Sequence, residues 1–149
     1  MKLLVSTLIL LAFQASFAGV AEKKAIKEGD AAIAEYVVSF KTKCGTDVSV
    51  KSNHAAAEKM KEDGRTPDNV ISVAGGICAG YVGTISDLCS DADYKEEIVK
   101  IKTITCNPNQ SLSKSPYFKV SKDGATLKME HHPTTLDNSG AYTAIKSVF

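Results

Sequence analysis

Between Thr66 and Cys89 only Asp68 and Asp87 carry charge, and the run holds two of the four cysteines. A segment this apolar has to be buried, and it opens like a helix. Thr66 suits the N-cap, Pro67 the first helical position, where no N–H is needed, and Asp68 the positive end of the helix dipole. Ile71, Ala74, Cys78, Tyr81, Ile85 and Leu88 recur at three- and four-residue steps, which gives the helix a continuous apolar face. The spacing predicts a central buried helix around which the other elements pack.

On that helix Cys78 and Cys89 lie eleven residues apart, ~16 Å along the axis. A disulfide needs Cα atoms within ~7 Å, so an unbroken helix forbids a Cys78–Cys89 bond. Each cysteine then reaches outward, one to Cys44 and the other to Cys106. A break at Gly80 or Gly83 would reopen Cys78–Cys89 with Cys44–Cys106. Either way an even cysteine count predicts two disulfides, provided the chain meets an oxidising compartment.

The N-terminus supplies that condition. Lys2 is a short basic region, Leu3 to Phe13 an uncharged apolar core, and Ser16-Phe17-Ala18 a small-x-small cleavage pattern, so residues 1–18 read as a signal peptide. The apolar run is shorter than the ~20 residues a bilayer-spanning helix needs, so no stable membrane insertion is expected after cleavage. The remaining 19–149 has the size of one domain. Without Lys2 the basic and acidic side chains are equal in number, which excludes the cationic surface of a nucleic-acid binder.

Along residues 19–149, Ile26, Ile33, Val37 and Phe40 mark an amphipathic helix that stops near Gly45. Thr46 to Lys51 alternates as a short strand with Val48 and Val50 inward. Asn53 can cap a helix from His54 to Lys61, and the central helix follows. Ser90 to Asp93 is a turn or N-cap leading into Tyr94 to Ile98. A second strand follows up to Cys106, then a loop from Asn107 to Pro116. Asp123-Gly124 is a strong hairpin signal between Tyr117–Ser121 and Thr126–His131. Asp137 or Asn138 can cap a last helix that runs through Tyr142, Ile145 and Val148. The expected class is α+β, in the order α-β-α-α-β-β-β-α, with an antiparallel sheet of three to four strands packed against helices and the three late strands forming a meander.

The glycines Gly75, Gly76, Gly80 and Gly83 make no phosphate loop: Tyr81 stands where the lysine would be needed, and the run lies inside a helix. Close packing at Gly76 and Gly80 is the expectation instead. His131 and His132 are adjacent, and neighbouring residues on a strand point to opposite faces, so the pair cannot hold one metal ion; polar residues at a strand end is the simpler reading. Any metal site would be one histidine with Glu130 or Asp137. Cys44, Cys78, Cys89 and Cys106 are all assigned to disulfides, which leaves no thiol nucleophile. No activated-serine elbow is present. No cofactor and no metal are expected. Asn109-Gln110-Ser111 has the form of a glycosylation sequon.

These features describe an exported small globular protein with a non-enzymatic binding or envelope-associated role and an unspecified protein or small-molecule partner. The alternative is a small secreted hydrolase or metal-dependent enzyme built around His54, His131 or His132. A cleft holding one of these histidines within hydrogen-bond reach of a carboxylate or hydroxyl would favour the enzyme. The loop from Asn107 to Pro116 suggests a third role, as an inhibitor or effector.

Overall fold

The computed structural model describes the backbone of residues 2–62 and 64–149 and the side chains of 19–62 and 64–149. The expected leader over residues 1–18 lies outside the residues whose side chains are described. The elements are α1 (Lys2–Cys44), β1 (Ser49–Ser52), α2 (His54–Glu58), α3 (Pro67–Leu88), α4 (Ala92–Ile98), β2 (Thr103–Pro108), β3 (Phe118–Asp123), β4 (Thr126–His131) and α5 (Asn138–Lys146). The class is α+β in the expected order, with α4 as the short helical insert that the sequence marks at Tyr94–Ile98.

The caps explain most of the boundaries. Gly45, at φ +80°, closes α1 with its N–H on the Lys41 carbonyl. Asn53, Asp91 and Asp137 each accept a hydrogen bond from a backbone N–H in the first turn of α2, α4 and α5. Thr66 departs from expectation: its backbone is extended, but its hydroxyl makes no cap bond, and Pro67 alone marks the start of α3.

The sheet is mixed rather than antiparallel, in the order β1-β2-β4-β3. Only β3 and β4 are antiparallel, as the Asp123-Gly124 turn requires; β1–β2 and β2–β4 are parallel. Two connections cause this. The segment carrying α2, α3 and α4 is long enough to return the chain to its starting edge, so β2 enters beside β1 in the same direction. The loop from Asn109 to Tyr117 then carries the chain past the neighbouring position, placing β3 at the outer edge and letting β4 fill the gap against β2.

One face of the sheet is buried, by Ile104, Cys106, Leu127, Met129 and Phe118. The other face stays wet, with Lys51, Lys119, Lys128 and Glu130 exposed. On the buried side lies α3, in one core with Phe40 of α1 and Ile145 of α5. By length and composition α3 could cross a bilayer, but most of it is enclosed by the other elements.

Helices α1 and α3 run in the same direction, as three successive contacts show. Gly29 meets Gly75, Tyr36 lies on Gly83, and Cys44 is bonded to Cys89. A Cβ added at Gly75 would lie 2.7 Å from the Cα of Gly29, and one at Gly83 would lie 2.6 Å from the Tyr36 ring. Those two glycines therefore permit the close approach. Gly76 does not: nothing lies within 4 Å of its missing Cβ, and Gly80 has only Leu136 at 3.8 Å. The packing role moves by one position because α1 crosses α3 on the face of Gly75.

The disulfides are Cys44–Cys89 and Cys78–Cys106. Helix α3 is unbroken, which excludes the Cys78–Cys89 bond as its axial rise requires. Cys89, one residue past the end of α3, meets the end of α1; Cys78, in mid-helix, faces β2. Intact mass of the oxidised protein should therefore rise by about 4 Da on full reduction, with no thiol titrating beforehand.

Candidate functional site

The three histidines converge on one border of the sheet. His54 follows β1 by two residues, His131 ends β4, and His132 follows it. Because β1, β2 and β4 are parallel, this is the carboxyl border, where open parallel sheets commonly hold ligands. Asn53 and Asn107 pair side chain to side chain along the same border at 3.4 Å.

His54 begins α2, and its Nε2 lies 2.8 Å from Asp30 Oδ1 of α1. The ring is only 13% exposed and passes beside Gly29, whereas Asp30 is largely solvated. With the Nε2 proton donated to the carboxylate, Nδ1 is a bare acceptor in the neutral ring, and it has no partner among the described residues. A carboxylate that orients an imidazole with a free second nitrogen is half of an acid–base pair. Serine 52 also ends without a partner for its buried hydroxyl among the described residues, but no hydrogen bond joins it to His54.

His132 lies against the segment after α2. Its Nδ1 accepts from the Thr134 N–H at 3.3 Å, which leaves the proton on Nε2, 3.8 Å from Glu62 Oε1. The Tyr117 ring covers it edge-on. Glu62 also accepts from the Thr134 hydroxyl, and the Gln110 amide donates to the Lys61 carbonyl. These contacts pin the 59–62 segment over the loop after β2.

His131 is a core residue, not the polar strand end that its neighbours suggest. It is fully buried between Tyr81 and the hairpin. Nδ1 donates to the His132 carbonyl at 2.8 Å, and Nε2 has no partner among the described residues. Burial pushes its pKa below the ordinary histidine value; the carbonyl bond opposes this and the His132 charge adds to it. The unfolded chain therefore binds the proton more readily, so stability contributed by neutral His131 is complete above about pH 6.5 and falls as pH drops below it. Melting temperature should decline between about pH 7 and 5, and His131→Gln should flatten that decline. Glu97, held down to about 2 by hydrogen bonds from Lys100 and Lys122, contributes only to the later loss below its ordinary value.

The acidic residues considered as metal partners are placed elsewhere. Glu130 faces solvent and accepts from Asn109 at 2.9 Å, and Asp137 caps α5 through the Gly140 N–H at 2.8 Å. Neither meets a histidine. Among the described residues no group of three or more His, Cys, Asp or Glu side chains could hold a metal ion. The half-buried Asn109 side chain accepts from the Ser111 N–H and hydroxyl and donates to Glu130.

A second region was not visible in the sequence. Around the exposed strip of α3 stand Tyr36, Leu136 and Tyr142, each more than 40% exposed. Tyr36 lies on Gly83, Leu136 beside Gly80, and Tyr142 next to Thr84 and Asp87 in a groove between α3 and α5. In α5 Ala141 and Ile145 take the buried face, and Tyr142 is left outward. The deciding fact is how α5 rotates against α3, which helical spacing alone leaves open.

Compared with protein-family models, curated proteins and solved structures, the chain matches none.

Proposed function

We propose that this is an exported, disulfide-stapled binding protein without catalytic activity, whose ligand surface is the side of α3 flanked by Tyr36, Leu136 and Tyr142. One observation carries the reading: three large apolar side chains, Tyr36, Leu136 and Tyr142, stay exposed together on one side, at a groove. Grouped exposed apolar residues mark interaction sites, whereas isolated ones are ordinary. Two intramolecular disulfides are compatible with an oxidising environment outside the cytoplasm. The test is expression of the full chain in a bacterial host that has a periplasm. The expected product is periplasmic, begins at Gly19 and has no free thiol. A cytoplasmic, reduced product that is folded and stable would overturn the reading.

A second reading, a small hydrolase, is favoured by the 2.8 Å contact between His54 and Asp30 at the carboxyl border of the parallel strands. Ester, phosphate and peptide substrates at neutral pH distinguish the two. Turnover abolished by His54→Ala, with the melting temperature preserved, would establish the enzyme; no turnover above buffer is the result expected of a binding protein.

A further inference from the structure

His131 is buried with nothing to receive a second ring proton. Its Nδ1–H is engaged with the His132 carbonyl at 2.8 Å, and Nε2, sealed from solvent, has no partner among the described residues. Around the ring stand Tyr81 of α3, edge-on at 6.1 Å between centroids, Phe118 opposite it on β3 and Pro108 opposite it on β2. None carries a charge. The nearby titratable side chains point elsewhere: Glu130 lies on the wet face opposite Lys119, Asp137 caps α5, and His132 turns Nε2 towards Glu62 Oε1 at 3.8 Å. A proton on His132 therefore meets a carboxylate. A proton on His131 makes a buried charge with an unanswered N–H, which costs enough that water has to be admitted.

The staples decide what moves to admit it. The His131 backbone is held in the sheet between β3 and β2, and its carbonyl accepts from the Asn109 N–H at 2.7 Å. Helix α3 is tied to α1 by Cys44–Cys89 and to β2 by Cys78–Cys106. Residues 132–149 contain no cysteine. Of these, 132–137 form a strap from the ring to α5. It starts with the His132 N–H on the Tyr117 carbonyl at 2.8 Å and ends with the Asp137 N–H on the Tyr81 hydroxyl at 3.2 Å, so it is anchored to the same tyrosine that packs on His131. Asp137 also accepts from the Tyr117 N–H at 3.4 Å. Beyond the strap, α5 is fully buried only at Ala141 and Ile145.

We propose that protonation of His131 opens the strap 132–137 and α5 as a unit while α1, α3 and β2 stay in place, an acid-triggered release built into the fold. Burial lowers the ring's proton affinity, so the closed form is the neutral one at pH 7. In the open form the ring is solvated and titrates near 6.5, so opening takes up a proton below that pH and its equilibrium constant climbs towards tenfold per pH unit. From pH 7 to pH 5 the increase is about twentyfold. Opening frees the Tyr81 hydroxyl and uncovers Phe118, which shares a groove with α5. It also carries off Leu136 and Tyr142, two of the three side chains of the surface proposed above, but it does not depend on that surface having a ligand.

Amide hydrogen exchange on the oxidised full chain tests this, read residue by residue at pH 7 and pH 5 and corrected for the pH dependence of intrinsic exchange. The amides of His132, Asp137 and 141–146 are expected to exchange at least about tenfold faster than those in the middle of α3 and β2 at both pH values, the mark of an opening separate from global unfolding. Their protection should fall about twentyfold from pH 7 to pH 5. His131→Gln should remove that fall, and so should His131→Phe, which keeps an aromatic ring in the same space and serves if the glutamine variant does not fold. His132→Gln should retain it. Equal protection of α5, α3 and β2 would overturn the proposal, because the strap and α5 would then open only with the whole fold. Protection of α5 unchanged between the two pH values would overturn it as well, as would an undiminished fall in a folded His131 variant.

Discussion

Replacing Cys78 and Cys106 together by alanine should lower the unfolding free energy by roughly 3–4 kcal/mol, moving the urea midpoint sharply down and steepening the slope, because the freed unfolded chain exposes more surface. The bond closes a 28-residue separation, for which the chain-entropy account gives ~3.6 kcal/mol. Both cysteines are fully buried, and the bond joins the middle of α3 to the strand at the centre of the sheet's buried face. Losing it frees the unfolded chain and also leaves two small voids between helix and sheet. Against a typical total of ~5–15 kcal/mol this is a large share. The Cys44–Cys89 bond closes a 45-residue separation, worth ~4 kcal/mol by the same account, but its loop overlaps the other, so the two effects do not add. A midpoint shift equivalent to less than about 1 kcal/mol would mean that the unfolded chain is already compact enough for the bond to constrain little.

Gly75→Ala should cost about 3 kcal/mol, seen as a fall of roughly 10 °C in melting temperature. The added methyl would sit 2.7 Å from the Cα of Gly29, and both partners are backbone, so neither can rotate away. The helices would have to separate along the contact that also holds Tyr36 on Gly83 and Cys44 on Cys89. Gly76→Ala, one residue on, should do the reverse. Its Cβ meets open space, so the gain in helix propensity, up to about 1 kcal/mol, is uncompensated and stability should rise. Opposite signs at adjacent glycines test the direction in which α1 crosses α3. If both variants were stabilised, the close Gly29–Gly75 approach would not exist in solution.

The buried His131 and the proposed ligand surface show where reading from residues stopped. His131 looked like a strand-end polar residue because its neighbours, Glu130 and His132, are polar. It is buried because period-two alternation puts it on the same face as Leu127 and Met129, and that face meets α3. The alternation was present in the chain, but not the knowledge that β4 continues to its last residue under Tyr81. The His54–Asp30 contact joins residues 24 apart, and nothing local in either segment announces it. Tyr36, Leu136 and Tyr142 come from α1, a loop and α5, and only the packing of all three on α3 makes them neighbours.

What the sequence by itself determined follows from short-range physics. Capping side chains, Pro67 at a helix start, Gly45 at a helix end, the Asp123-Gly124 turn and apolar periodicity act within a few residues, so the α+β class, the element order and the exclusion of a Cys78–Cys89 bond could be read from spacing. What only the tertiary structure decided depends on which distant surfaces meet. The parallel pairing of β1, β2 and β4, the choice of Cys44–Cys89 and Cys78–Cys106, the contact of Gly75 rather than Gly76, and the outward turn of Tyr142 all depend on how helices and strands cross. That crossing is set by the summed fit of the whole core, to which each residue contributes too little to be seen alone.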